Sequence, residues 1–345
     1  MNLYESYIEN IKNLLVSENL WKDSLTILPN SKNGGQSLCF FIRNEEGKSI
    51  YIAKYFNYMK DLNDLTNIVS INNYDNVDEY LENISDMQIP ININEVSEIV
   101  YYLKRSFSRY IEVTKDDDGL FPKVYAYDYN VKIANSFYGL LIEEAIDGIT
   151  LQEKMNNISM DGESNIVFAI KTLSEIGHAI ERLTNKGYVH RDLSPDNIMI
   201  NKNNNLIIID PGTIKIINRD TTNLGYILGK LNYASPEQYR GNAVNANFTS
   251  DLYSLGIIIF QIITGQNLLN IYINKNQNDP HSLICKDLDR NIEEIFYEYC
   301  SDESERNMIL YSIIKKMLQV DKELRFGDIN SFIQSVSILK EDNND

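Results

Sequence analysis

Val189-His190-Arg191-Asp192-Leu193-Ser194-Pro195-Asp196-Asn197-Ile198-Met199-Ile200 is a polar, charged loop held between two apolar ends. It is entered from a segment that places Ile166, Ile170, Leu173, Ile176, Ile180 and Leu183 at helical spacing, so a long amphipathic helix delivers it. A polar turn between Asn197 and Asp210 predicts a hairpin. Its second arm, Leu206-Ile207-Ile208-Ile209-Asp210-Pro211-Gly212, puts a carboxylate at the end of a buried apolar strand. Such burial is costly unless a cation or hydrogen-bond donors offset it.

Working outward, residues 3–21 carry Leu3, Tyr7, Ile11, Leu14 and Leu15 at helical spacing, which predicts an amphipathic helix docked on the core. Two strand-like runs follow, Ser37 to Arg43 and Ser49 to Phe56, joined by the hairpin chemistry of Asn44-Glu45-Glu46-Gly47-Lys48. From Asn57 to Asn92 the chain turns polar and acidic and reads as an insertion with at most short helices. A helical pattern resumes at Glu95, Val124 to Glu144 predicts two more strands, and the chain after Thr150 is mostly helical. A small strand-rich part thus precedes a larger helical one, and no repeat at a fixed period is present.

The 345 residues include 49 acidic and 32 basic side chains, a formal charge of −17, which repels nucleic acid and anionic membranes. Any phosphate must therefore be held by a local cluster. The longest apolar run, Leu255 to Phe260, is too short to span a bilayer, and the expected location is cytoplasmic. Cys39, Cys285 and Cys300, with His178, His190 and His281, give neither a disulfide framework nor a metal-ligand spacing.

The loop at 189–200 resembles the catalytic loop of eukaryotic-type (Hanks-type) Ser/Thr protein kinases, in a divergent bacterial form. The resemblance implies that Asp192 accepts the proton of the substrate hydroxyl and Asn197 gives an oxygen to Mg²⁺, with His190 packed beneath the loop. Asp210 then matches the metal-binding Asp of the family's D-F-G motif, although Pro211 stands where the family has Phe. Gly229-Lys230-Leu231-Asn232-Tyr233-Ala234-Ser235-Pro236-Glu237-Gln238 is similar to the end of an activation segment, with Glu237 buried against Arg325. Asp251 matches the acid that braces the catalytic loop from a central helix. Arg191 has the planar fork suited to a phosphate on Thr213, Thr221, Thr222 or Tyr226.

In the small part, Ile52-Ala53-Lys54 resembles the family's phosphate-neutralising lysine strand. The turn Lys32-Asn33-Gly34-Gly35-Gln36-Ser37 is similar to a degenerate glycine-rich phosphate loop, in which Gly34 and Gly35 approach the nucleotide. The implied partner of Lys54 is a Glu on the next helix, Glu95 or Glu98. The connector from Ile142 to Leu151, including Glu144, is implied to bond adenine through its backbone. Ser/Thr kinases of this type carry a Lys two residues after the catalytic Asp and a Thr near the segment's end; here those positions are Ser194 and Lys230. An ammonium on Lys230 is therefore expected to reach Asp192 or Ser194 and replace the missing loop lysine in catalysis.

The resemblance implies an α+β, bilobal protein-kinase fold: an antiparallel-sheet small lobe with one regulatory helix, then a mostly helical large lobe. The expected divisions are an N-terminal helix at 1–22, the small lobe at 23–144 with the insertion at about 57–92, the large lobe at 145–339 and an acidic tail at 340–345. The implied activity is transfer of the ATP γ-phosphate to Ser/Thr hydroxyls of proteins with ATP and Mg²⁺, autophosphorylation included. Two rivals share the fold. A nucleotide-binding pseudokinase scaffold fits the altered glycine turn and D-P-G, but Lys54, Asp192 and Asp210 are all present. A small-molecule kinase has no need of the peptide-docking segment from Gly229 to Glu237.

Overall fold

The computed structural model describes residues 2–29, 37–59, 69–85, 93–115, 119–157, 162–217, 230–275, 279–300 and 304–341. The chain forms two compact units divided between Asp147 and Gly148. The first opens with helix α1 (Leu3–Ser17), started by a capping box between Asn2 and Glu5. Its sheet comprises β1 (Thr26–Pro29), β2 (Ser37–Arg43), β3 (Ser49–Asn57), β4 (Val124–Ile133) and β5 (Ser136–Glu144). The pairing is antiparallel throughout, in the order β1-β2-β3-β5-β4. Between β3 and β4 the chain forms α2 (Val77–Ser85) and α3 (Ile93–Lys115).

Strand β5 is buried along nearly its whole length because helices cover both faces of the sheet. Alternate side chains serve opposite faces. Tyr138, Leu140 and Ile142 meet Tyr7, Ile11 and Leu15 of α1, while Phe137 and Leu141 meet Tyr80 of α2 and Phe107 and Tyr110 of α3. The α1 contact is specific: the Tyr7 and Tyr138 hydroxyls lie 2.8 Å apart, and the Tyr55 hydroxyl donates to the Tyr7 carbonyl at 2.7 Å. At Gly139, a Cβ would sit 2.5 Å from the Tyr58 hydroxyl oxygen and 2.8 Å from the Phe107 ring, so this approach of helix to strand requires glycine.

The α1 expectation and the strand boundaries agree with the structure; the described part of 57–92 carries only a 3₁₀ turn (Ile71–Asn73) and a short helix, as expected, but it is not merely a polar insertion. Val77, Tyr80, Leu81 and Ile84 are buried at the i, i+3, i+4, i+7 positions of α2 and pack with α3. The described part of this insertion is therefore core, and α2 covers the sheet in addition to the two expected helices, α1 and α3.

The second unit contains β6 (Gly148–Thr150), α4 (Leu151–Asn156), α5 (Gly162–Asn185), β7 (Tyr188–Val189), β8 (Ile198–Asn201), β9 (Leu206–Ile208) and β10 (Lys215–Ile216). Then come α6 (Pro236–Tyr239), α7 (Phe248–Thr264), α8 (Leu268–Lys275), α9 (Pro280–Asp287), α10 (Asn291–Cys300), α11 (Glu305–Met317) and α12 (Ile329–Glu341). The six apolar residues anticipated on α5 are all buried. Helix α7 is buried almost throughout, packs on α5 and α11, and ends at Gly265 with φ 69°, a left-handed cap that glycine adopts without strain. No single described helix is long and apolar enough to cross a membrane; α7 and α8 pass on length and composition only as a pair bent by 101°.

Near the start of α9, His281 is buried against Tyr239 and bonded to the Tyr253 hydroxyl at 2.8 Å. Burial pushes its imidazole down to about 3. The folded chain keeps the ring neutral, whereas the unfolded chain protonates it below about pH 6.5. This contribution is thus complete above that pH and is lost as pH falls towards the folded value. His281→Gln should flatten the acid slope of stability by about 1.4 kcal/mol per pH unit between pH 6 and 4.5, read by urea unfolding with far-UV circular dichroism. Equal slopes in the two proteins would contradict this.

Candidate active site

The loop after β7 is shaped by a carboxylate from α7. The Asp251 Oδ2 and Oδ1 atoms accept the backbone N–H groups of His190 and Arg191 at 2.8 and 2.9 Å. Burial pushes the Asp251 carboxyl up to about 7, against the pull of those two donors. Arg191 takes φ 68°, a left-handed conformation rare for a long side chain and fixed here by that grip. His190 is fully buried beneath the loop; its Nδ1 accepts the Asp192 N–H at 3.3 Å, and burial pushes its imidazole down to about 4. It is a neutral packing residue.

Asp192 is partly buried and held from two sides. The Asn197 Nδ2 atom donates to the Asp192 carbonyl at 2.9 Å and to its Oδ2 at 3.0 Å. The Lys230 backbone N–H donates to Oδ1 at 3.0 Å. Burial, then the neighbouring Asp210 carboxylate, pushes Asp192 up to about 6. A carboxylate so fixed and so reluctant to ionise is a fit acceptor for a hydroxyl proton.

Strands β8 and β9 pair Ile198 with Ile208, and the Ile209 N–H donates to the Asn197 carbonyl at 2.9 Å. That bond places Asp210 beside the loop. Asp210 has φ 60° and ψ 69°, a strained conformation for a residue preceding proline. Pro211, Gly212 and Thr213 then form a buried 3₁₀ turn. With the Asn197 amide nitrogen committed to Asp192, its oxygen is the atom left to ligate a metal. Among the described residues no group of three or more His, Cys, Asp or Glu side chains could hold one. One amide and one carboxylate oxygen suit Mg²⁺, which binds through few protein ligands when phosphate oxygens supply the others.

The segment closing on this loop is anchored by a buried ion pair. Arg325 donates from Nη1 and Nη2 to the two Glu237 oxygens at 2.9 and 3.0 Å, and from Nη1 to the Thr249 carbonyl at 3.0 Å. Ser250 donates to Glu237 Oε1 at 2.6 Å. Burial raises Glu237, but the Arg325 fork outweighs it and holds the carboxyl below the usual range. In the first unit, Lys54 is also buried and paired: its Nζ lies 2.7 Å from Glu143 Oε1 and 3.0 Å from the Tyr110 hydroxyl.

The family model for the protein kinase domain matches residues 121–337, which takes in β4, β5 and nearly all of the second unit. The chain belongs to the protein kinase domain family. The two units are the sheet-based and helical lobes of its α+β fold. Relatives include the probable serine/threonine-protein kinase PknB of Lactococcus lactis, 34% identical over 128 residues, which is 36% of this chain and 20% of that protein. Serine/threonine-protein kinase PknB of Mycolicibacterium smegmatis is 34% identical over 36% of the chain and 20% of its own length. For serine/threonine-protein kinase PrkC of Bacillus subtilis the figures are 34%, 36% and 19%. The match therefore spans about a fifth of the length of these relatives.

Within this kinase domain the structure brings together Asp192, Asn197, Asp210 and Lys230, and separately joins Glu237 to Arg325 and Asp251 to the loop. Four expectations are corrected. The Lys230 ammonium does not reach Asp192 or Ser194; it lies 2.5 Å from Asp196 Oδ2, and only the backbone N–H meets Asp192. Thr213 is no phosphate acceptor, being buried with its hydroxyl donating to the His190 carbonyl at 2.9 Å. Arg191 is 2% exposed, with its Nε donating to the Thr213 carbonyl at 2.8 Å, so its fork is not displayed to a surface phosphate. Glu98 is exposed on α3 and cannot neutralise a buried ammonium.

Glu95 lies on α3 with its side chain outside the described atoms, and Gly34, Gly35, Thr221, Thr222 and Tyr226 lie outside the described residues. Glu144 is exposed, and its N–H donates to the Lys123 carbonyl at 2.8 Å, so that amide is taken. Sequence reasoning missed Glu143 and Tyr110. Glu143 was legible, since a carboxylate closing an apolar strand poses the same burial problem as Asp210.

Proposed function

We propose that this kinase domain transfers the γ-phosphoryl group of ATP to Ser or Thr hydroxyls of proteins. The observation that carries the reading is Asp192 bonded to Asn197 with Asp210 placed beside them, so that one carboxylate is fixed and partly protonatable while an amide and a carboxylate oxygen remain for a metal. Asp192 accepts the substrate proton as the hydroxyl attacks; Lys54 would neutralise nucleotide phosphate charge; Asn197 and Asp210 would hold Mg²⁺, which would supply electrostatic stabilisation of the phosphates. Lys230, tethered by Asp196, adds a cation at the edge of the same loop. The Ser/Thr preference is supported by the names of the relatives.

The test is label transfer from ATP with Mg²⁺ to the chain itself and to generic protein substrates. Wild type should incorporate label on Ser or Thr, and Lys54→Met should lower the rate on the order of a hundredfold, the cost of one charged transition-state contact. Nucleotide binding without any transfer would instead identify a scaffold, the reading that Pro211 in place of an aromatic favours.

A further inference from the structure

Glu143 stands on β5 two residues beyond Leu141, and the strand's alternation turns both towards α3. Lys54 faces Leu141 across the ladder while Ile52 faces Glu143, so Lys54 and Glu143 are diagonal neighbours on one face of the sheet. Both are buried, at 8% and 2% exposure. Each Glu143 oxygen is in use: Oε1 lies 2.7 Å from the Lys54 Nζ, and Oε2 accepts the Tyr110 hydroxyl at 2.5 Å. Tyr110 in turn accepts from Lys54 at 3.0 Å, and its ring centroid lies 5.3 Å from the ammonium. The three groups close a ring of charge-assisted bonds, two of them carried by paired strands and the third by the helix packed on them.

We propose that Glu143 is the positioning carboxylate of Lys54, with Tyr110 as its brace, so that the sheet itself sets the ammonium offered to nucleotide phosphates. The last clause rests on the function proposed above; the pairing does not. Because β3 and β5 are adjacent strands, the carboxylate and the lysine keep their spacing whenever the sheet is intact. The helix contributes a neutral phenol to this ring, whose loss weakens the arrangement without removing its charge balance. Residues 142–144 thus do more than lead out of the sheet: the side chain at 143 sets the geometry of a lysine 89 positions earlier in the chain.

The experiment is a double-mutant cycle on the full chain, with ATP·Mg²⁺ affinity measured by calorimetry and folding stability by urea unfolding. Glu143→Gln should weaken ATP about tenfold and Tyr110→Phe a few-fold, and Glu143→Asp should recover part of the loss. In a Lys54→Met background, Glu143→Gln should cost no further affinity, because its effect passes through the lysine. A residue that merely supports the fold would give multiplicative losses instead, and that result, or wild-type affinity in Glu143→Gln, overturns the proposal. If Lys54→Met itself binds ATP normally, the phosphate role of Lys54 fails. The pairing is then judged by stability alone: it stands if the two substitutions are non-additive in unfolding and falls if they add. Should Glu143→Gln not fold, the same cycle is run with Glu143→Asp.

Discussion

Asp192→Asn is expected to reduce phosphoryl transfer on the order of a thousandfold while leaving ATP affinity roughly unchanged. The substitution is nearly isosteric, so the bonds that shape the loop survive it apart from the Asn197 Nδ2 contact to Oδ2, which an amide nitrogen cannot accept. Asn197 can still donate to the residue 192 carbonyl, the Lys230 N–H can still donate to an amide oxygen, and Asp251 still grips the His190 and Arg191 amides. What is lost is the capacity to take a proton from the attacking hydroxyl. Parallel label-transfer and calorimetric measurements check both halves, and a variant that transfers phosphate at the wild-type rate would remove Asp192 from the mechanism.

Glu237→Ala is expected to cost about 3–5 kcal/mol of stability, the usual penalty for leaving one member of a buried pair without its counter-charge. The Arg325 side chain is fully buried on the guanidinium side of this pair. After the substitution its fork keeps only the carbonyls of Thr249, Gln319 and Val320. The ring of Tyr253 beneath it, 5.0 Å away, cannot substitute for a carboxylate. Replacing both partners, as Glu237→Leu with Arg325→Met, should cost less than the single change, because no charge is then stranded. Urea unfolding followed by far-UV circular dichroism suits this test, since the only tryptophan, Trp21, lies in the other unit. A loss below about 1 kcal/mol for Glu237→Ala would show that the pair is dispensable.

Much of the helical unit was legible because its motifs are ordered and each has a local physical signature. The α5 stripe and the Asp251 position in a largely apolar helix each read correctly for that reason, whereas β9 ends at Ile208, two residues before Asp210, and is half-buried rather than buried. Other features were hidden by competing signals. The apolar residues of α2 are embedded among Asn, Asp and Glu, so composition outweighed their helical spacing. Tyr110 was not legible at all: in a chain with 23 tyrosines, a phenol on an amphipathic helix looks like any other core residue. Lys230 illustrates a further limit. The family resemblance placed it beside Asp192, but only the structure shows that its backbone, and not its ammonium, makes the contact.

The bonds that shape the catalytic loop come from far along the chain. His190 and Arg191 are fixed by a residue 61 and 60 positions later, and Glu237 by one 88 positions later. Each such closure pays chain entropy before it returns any bond energy. The packing of α7 on α5 and α11 brings Asp251 into range of the loop. The left-handed turn at Arg191 therefore depends on the apolar core of this unit, and a change that loosens α7 would disturb Asp192 without touching it.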